Sequence, residues 1–315
     1  MASEILVGVA GVGHLGRHHA RLYATLPGVR LVAVADRDLA RARAVATEFG
    51  CEALAEVGDL VGRAQAVSIA VPTIHHREAG EILLGGGVDV LIEKPMAASL
   101  EEADALNAAA RRAGRIVMVG HTERFNPAVI TLARAVDAPR FLEIHRLAGF
   151  TDRSTDVDVV LDLMIHDLDL LLHLDGTEAV SVDAVGVAAL TERIDIASAR
   201  IRLASGCVAN VTASRISGDK VRKIRVFQSR TYLACDTIKG TVERYRLRFG
   251  ADARPEIQRD RLPVDSGEPL ALELAAFVEA VRSRSNPPVD GLQGRRALSL
   301  AYRVREAISG PASRS

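Results

Sequence analysis

Ile5-Leu6-Val7-Gly8-Val9-Ala10-Gly11-Val12-Gly13-His14-Leu15-Gly16 decides the fold, because a continuous apolar run passes directly into the pattern G-x-G-x-x-G. A run that is apolar at successive positions, rather than at alternate ones, suits a parallel strand buried on both faces. If a helix follows, the glycines have separate tasks. Gly11 permits the tight turn, Gly13 lets an anion approach the backbone, and Gly16 lets the helix lie close to the strand. The N–H groups at the start of that helix then face the same anion. The spacing alone is a weak signal; its place between strand and helix gives it weight.

Outward from this stretch, β-like runs at Leu31–Ala35, Cys51–Leu54, Ala66–Val71, Val88–Ile92 and Ile116–Val119 alternate with helical segments. Helix punctuation falls between them: Gly50 after the second helix, Ser99 with Glu102 as a capping box, and Gly114 as a helix stop. An α/β fold follows, with an N-terminal Rossmann-type, doubly wound parallel sheet over residues 1–120. After Gly120 the pattern changes. Asn126-Pro127 starts a helix, 156–174 supplies a longer one, Ile194–Ser217 reads as a hairpin turning at Ser205-Gly206, and Val221–Phe249 continues in strand-like alternation. Residues 121–315 are therefore expected to form an α+β domain with an open, mostly antiparallel sheet. Two closing helices, about Pro269–Arg284 and Leu292–Ser309, are free to pack back on either domain.

Composition removes several function classes. Forty basic and forty acidic residues cancel, so the long-range field that draws proteins to nucleic acid or anionic membrane is absent. No stretch approaches the roughly 20 apolar residues of a membrane span. Cys51, Cys207 and Cys235 lack paired spacing, which argues against a disulfide framework and a zinc knuckle. The first apolar run is short and lacks a basic flank, unlike a signal peptide, so a cytoplasmic protein is expected.

The polar residues at strand ends carry the chemistry. Asp36 ends the second run 20 residues after Gly16, the spacing of an acid that accepts from an adenosine ribose hydroxyl, which favours NAD. Arg37 beside it suits a 2′-phosphate and keeps NADP open. Val71-Pro72-Thr73-Ile74-His75-His76 closes the fourth run, and Glu93-Lys94-Pro95 closes the fifth, where proline cannot donate to a sheet ladder and ends the strand. His121 follows the sixth. Gly11, Asp36, Thr73, Lys94 and His121 thus converge on the carboxyl edge of the sheet, where open α/β sheets bind ligands. Farther on, Asp162 and His166 stand four apart, so a helix places both on one face above the apolar stripe Leu161, Ile165, Leu168 and Leu172. A metal site is not expected, since Asp162 and His173 would lie ~16 Å apart along the helix.

Taken together, the glycine loop, Pro72 with His76, Glu93-Lys94-Pro95 and Asp162-x-x-x-His166 resemble the glucose-fructose oxidoreductase, inositol dehydrogenase and rhizopine-catabolism (Gfo/Idh/MocA) family over nearly the whole chain. The resemblance implies nicotinamide-dependent chemistry at a sugar or polyol carbon, with Lys94, Asp162 and His166 as the catalytic set. Either Lys94 or His166 then serves as the immediate proton acceptor. Gly11, Gly13, His14, Leu15, Gly16, Asp36, Arg37, Pro72, Thr73, His76, Glu93, Lys94 and His121 would hold the cofactor. The chain departs from many members in carrying Val159, Val160, Leu161 and Met164-Ile165 where glycines are common. With Gly120–Ala128, that segment resembles the UDP-N-acetylglucosamine 3-dehydrogenase subgroup, which oxidises the sugar 3-hydroxyl to a ketone for diamino-sugar synthesis. A nucleotide-sugar diphosphate needs cationic donors, and Arg124, Arg146 and Arg153, with Asn126, Lys94 and His166, are the expected substrate residues. The competing readings are a dehydrogenase of a free polyol such as inositol and a non-enzymatic, dinucleotide-sensing regulator. The resemblance also implies a homodimer or homotetramer formed through the open sheet.

Overall fold

Residues 4–150, 157–249 and 254–310 are described by a computed structural model. The first elements in chain order are β1 (Ile5–Ala10), α1 (His14–Tyr23), β2 (Val29–Ala35), α2 (Leu39–Phe49), β3 (Glu52–Leu54), β4 (Ala66–Ile69), α3 (His76–Gly85), β5 (Asp89–Glu93), α4 (Leu100–Ala113) and β6 (Val117–Gly120). Then come α5 (Pro127–Ala135), β7 (Phe141–Leu147), α6 (Ile165–Asp175), β8 (Ala179–Val187), β9 (Ile196–Leu203) and β10 (Val208–Ser214). The chain closes with β11 (Val221–Gln228), β12 (Thr231–Asp236), β13 (Thr241–Phe249), β14 (Pro255–Leu262), α7 (Pro269–Ser283) and α8 (Gly291–Ser309). No helix among the described residues is long and apolar enough to cross a membrane.

The chain divides into two compact units. One runs up to Thr122 and takes in Glu268–Arg296; the other spans Glu123–Gly267 and the residues from Ala297 on. The division thus falls two residues past the boundary expected at 120, and the segment carrying α7 belongs with the first unit rather than with the second half of the chain.

In the first unit the described strands form a six-stranded parallel sheet in the order β3-β2-β1-β4-β5-β6. Every residue of β4, β5 and β6 is buried, which is why their sequences are apolar without alternation. Helix ends follow local chemistry. Ser99 Oγ accepts from the Glu102 N–H at 3.2 Å, while Glu102 reaches back to the Ala98 N–H at 3.0 Å. Gly50 and Gly114 close α2 and α4 in the left-handed conformation that glycine adopts without steric cost.

In the second unit the described strands form an eight-stranded sheet in the order β14-β13-β12-β11-β7-β10-β9-β8. It is antiparallel except for β7 and β10, which run parallel in the register Ser214 to Leu147. The expected hairpin is β9 and β10, paired antiparallel with Arg202 opposite Val208. Strand β7 alternates strictly in burial, so Leu142, Ile144 and Arg146 share the covered face. The helix expected from 156 is a π turn, Val160–Met164, leading into α6; residues 151–156 lie outside the described ones.

Candidate functional site

The glycine loop joins β1 to α1. Gly11 sits at φ +81°, and a Cβ there would come within 2.7 Å of the Val71 nitrogen and 2.9 Å of the Ala70 carbonyl oxygen. A Cβ on Gly16 would run into the carbonyl oxygen of Gly11, so α1 approaches the loop more closely than any other residue would permit. Nothing lies within 4 Å of the Cβ position of Gly13, the N-cap of α1. That open approach, next to the N-terminus of a ten-residue helix, fits a pyrophosphate.

The loop opens onto a cleft of about 650 Å³ in the first unit. Gly11, Gly13, His14, Leu15, Asp36, Arg37 and Pro72 line it, joined by Arg41 and His75. Asp36 Oδ2 accepts from the Val12 N–H and Oδ1 from the Asp38 N–H, both at 2.9 Å. These bonds fix the carboxylate just past the end of β2 on the cleft wall, a geometry suited to accepting from a ribose hydroxyl. Arg41 Nη1 stands 3.4 to 3.5 Å from both Asp36 oxygens, and exposed Arg37 turns to Glu78 at 3.7 Å and His75 at 3.5 Å. The residues present fit an NAD molecule.

Two residues expected at the cofactor turn to internal partners. His76 is buried, with Nδ1 3.0 Å from the Pro95 carbonyl oxygen and Nε2 2.9 Å from that of Val71. It braces the loop after β4 against the turn after β5, and burial keeps its pKa below the usual imidazole value. His75, one residue earlier, takes the place at the cleft; Thr73 lies half-buried in the 3₁₀ turn before it.

Glu93 is likewise buried. Its Oε1 lies 3.0 Å from Nε2 of fully buried His19 on α1, and its Oε2 accepts from the backbone N–H of Lys94 at 3.2 Å. Burial by itself would raise the Glu93 carboxyl, but the hydrogen bond and charge of His19, with the charge of Lys94, hold it below the ordinary range. Lys94 follows as a half-buried residue just past β5, and His121, buried, just past β6. Sequence reasoning missed His19. Its signal is a polar residue on the buried face of α1, beside Ala20 and Tyr23.

In the second unit, the chain entering the Asp162 segment is held from several sides. Arg215 donates to the Val157 carbonyl at 2.6 Å, and the Val159 N–H donates to Ile194 at 3.0 Å. Asp158 Oδ1 accepts from the N–H groups of Val160 and Leu161 at 3.0 and 3.1 Å, while Arg305 reaches its Oδ2 at 2.8 Å. Asp195 anchors the neighbouring loop by accepting from three backbone N–H groups, the Thr191 hydroxyl and Arg215. These donors outweigh burial and keep its carboxyl well below the usual range. Asp162 lies within the π turn and His166 at the start of α6, both half-buried. Single π turns inside helices recur at functional sites.

The expected substrate arginines have other commitments. Arg124 makes a two-pronged pair with Asp169, at 2.7 and 2.6 Å, with its side chain 8% exposed. Arg146 is buried; it grips both oxygens of Asp167 at 2.9 and 2.8 Å and reaches Glu123 Oε1 at 2.9 Å. Burial opposes its charge, but the two carboxylates raise its pKa overall and hold it as a cation. The same Glu123 oxygen accepts from Arg222 at 3.0 Å. Asn126 caps α5 by accepting from the Ala128 N–H at 3.0 Å, and its amide donates to Thr237. Arg153 falls outside the described residues.

Two family models match the chain: an oxidoreductase family with an NAD-binding Rossmann fold over residues 5–121, and the GFO/IDH/MocA C-terminal domain over 128–234. The UDP-N-acetylglucosamine 3-dehydrogenase of Acidithiobacillus ferrooxidans is 41% identical over 303 residues, covering 96% of each chain. Its solved structure matches with a TM-score of 0.92 over 98% of each chain. The NAD-dependent scyllo-inositol 2-dehydrogenase of Bacillus subtilis is 30% identical, covering 92% of this chain and 90% of that protein.

Proposed function

The chain belongs to the Gfo/Idh/MocA family of NAD-binding oxidoreductases, and on that premise we propose that it oxidises the 3-hydroxyl of UDP-N-acetylglucosamine to a ketone. The observation that carries this reading is the 41% identity to a UDP-N-acetylglucosamine 3-dehydrogenase, sustained over 96% of both chains rather than over the nucleotide-binding half alone. The inositol dehydrogenase stands at 30%.

NAD, when bound, supplies the hydride acceptor. Gly11, Gly13, Gly16 and the N-terminus of α1 hold its pyrophosphate, and Asp36 its adenosine ribose. His166 takes the hydroxyl proton, since an imidazole ordinarily titrates near neutral pH, and Asp162 stabilises the imidazolium that results. Lys94 offers its ammonium to the substrate oxygen while that oxygen carries negative charge. Its backbone is held just past a fully buried strand. Phe141, Phe227, Tyr232 and Tyr245 stack in a row at 4.8 to 5.5 Å on the half-exposed face of the eight-stranded sheet, which supports a homodimer or homotetramer.

The test is an NAD-linked assay on UDP-N-acetylglucosamine and myo-inositol with a carbonyl trap, since ketone formation is uphill. We expect turnover on the nucleotide sugar, with Lys94→Ala silent yet still binding NAD. Turnover on inositol alone makes the chain a polyol dehydrogenase; silence on both substrates refutes the proposal.

A further inference from the structure

The register of the second unit gathers several chain ends at one edge of its sheet. Leu147, the last residue of β7, lies opposite Ser214, the last of β10, and opposite Val221, the first of β11; Ser214 in turn faces Ile196, the first of β9. Arg215 and Ile194, which hold the segment leading to Asp162, belong to the same edge. Arg222 lies one residue in from it, directly opposite Arg146. Both guanidiniums reach the same oxygen of Glu123, and Arg146 grips Asp167, the neighbour of His166. Arg222 therefore shares a sheet face with the helix that carries Asp162 and His166.

Two guanidiniums, Arg146 and Arg222, stand there against two carboxylates, Glu123 and Asp167, and Arg222 holds the smaller share of them. Like charges directly opposed across two strands repel, and Arg146 already takes both oxygens of Asp167 as well as its share of Glu123. Arg222 makes a single hydrogen bond, its side chain is 39% exposed, and its remaining N–H groups have no protein acceptor among the described residues. Burial and the Arg146 cation lower its pKa against the opposing pull of Glu123 and Asp167. A fork of donors oriented from below by Glu123 and left open above suits a phosphate group.

We propose that Arg222 is the anion anchor of the substrate site and binds the diphosphate of the nucleotide sugar, the task that Arg124 and Arg146, committed to Asp169 and Asp167, do not perform. The proposal rests on the nucleotide-sugar reading above. It is tested by UDP inhibition of the NAD-linked reaction in the wild type, Arg222→Gln, Arg222→Lys and Lys223→Ala. UDP should compete with the sugar in the wild type and in Lys223→Ala, whose side chain leaves the opposite face of β11. Arg222→Gln should raise both the inhibition constant for UDP and the KM for the sugar roughly ten- to a hundredfold, with NAD binding and thermal midpoint retained. Arg222→Lys, which keeps the charge and loses the fork, should fall between and serves if the glutamine variant does not fold. Absence of UDP inhibition in the wild type would sink the nucleotide-sugar reading, and the anchor with it. Wild-type inhibition constants in both Arg222 variants would overturn the anchor alone.

Discussion

Replacing His19 by alanine should reverse the way Glu93 contributes to stability. In the wild type the folded carboxyl titrates below its unfolded value, so the pair adds stability above the ordinary carboxylate range and loses it as pH falls through the folded pKa. Without His19, burial dominates and raises the carboxyl above its unfolded value. The penalty is then present at neutral pH and relieved on acidification. Removing one partner of a buried pair costs about 3 to 5 kcal/mol. Glu93→Gln should cost only about 1 kcal/mol. Glutamine keeps the shape, its oxygen can accept from the Lys94 N–H, and its amide can donate to His19 Nε2 once the imidazole proton moves to Nδ1, a buried atom with no partner among the described residues. The double variant should recover about 2 to 3 kcal/mol relative to the sum of the singles, a cycle that also cancels the lost packing of the imidazole. The chain has no tryptophan, so urea unfolding is followed by circular dichroism, without NAD, across the acid-to-neutral range. Additive single costs with no pH dependence in His19→Ala would refute the charge pairing.

Other perturbations probe the cofactor cleft. Asp36→Ser removes the carboxylate that repels a 2′-phosphate and leaves Arg37 and Arg41 beside it, so the ratio of kcat/KM for NAD over NADP should fall roughly tenfold or more; an unchanged ratio contradicts the role given to Asp36. Gly13→Ala and Gly16→Ala should separate binding from folding. The first fills only open space and should weaken NAD binding in titration calorimetry without moving the thermal midpoint, whereas the second meets the Gly11 carbonyl and should cost about 1 to 3 kcal/mol of stability.

The parallel sheet was legible because its strands are buried on both faces, so their continuous apolar runs could not be taken for half-exposed strands. Strand β14 was not legible. Pro255-Glu256-Ile257-Gln258-Arg259-Asp260-Arg261-Leu262 is a mostly exposed edge strand and carries no burial pattern. Nor could periodicity reveal the π turn at Asp162, since a local change of helical pitch leaves the spacing of four residues to His166 untouched. The same limit holds for the candidate site. Glycine loop, Asp36 and Lys94 are marked by neighbours in sequence, whereas the commitments of Glu93, Arg124 and Arg146 run to partners 74, 45 and 21 residues away. Residue type told that a charge was present; only the fold told whether it was already spent on a partner.

The central claim, hydride transfer from carbon 3 of a UDP-amino sugar to NAD, is tested most directly with UDP-N-acetylglucosamine deuterated at that carbon. Mass spectrometry of the reduced cofactor should find the deuterium on its nicotinamide ring, together with a 3-keto sugar nucleotide. Reduced cofactor without deuterium would place the reaction at another carbon and contradict the account.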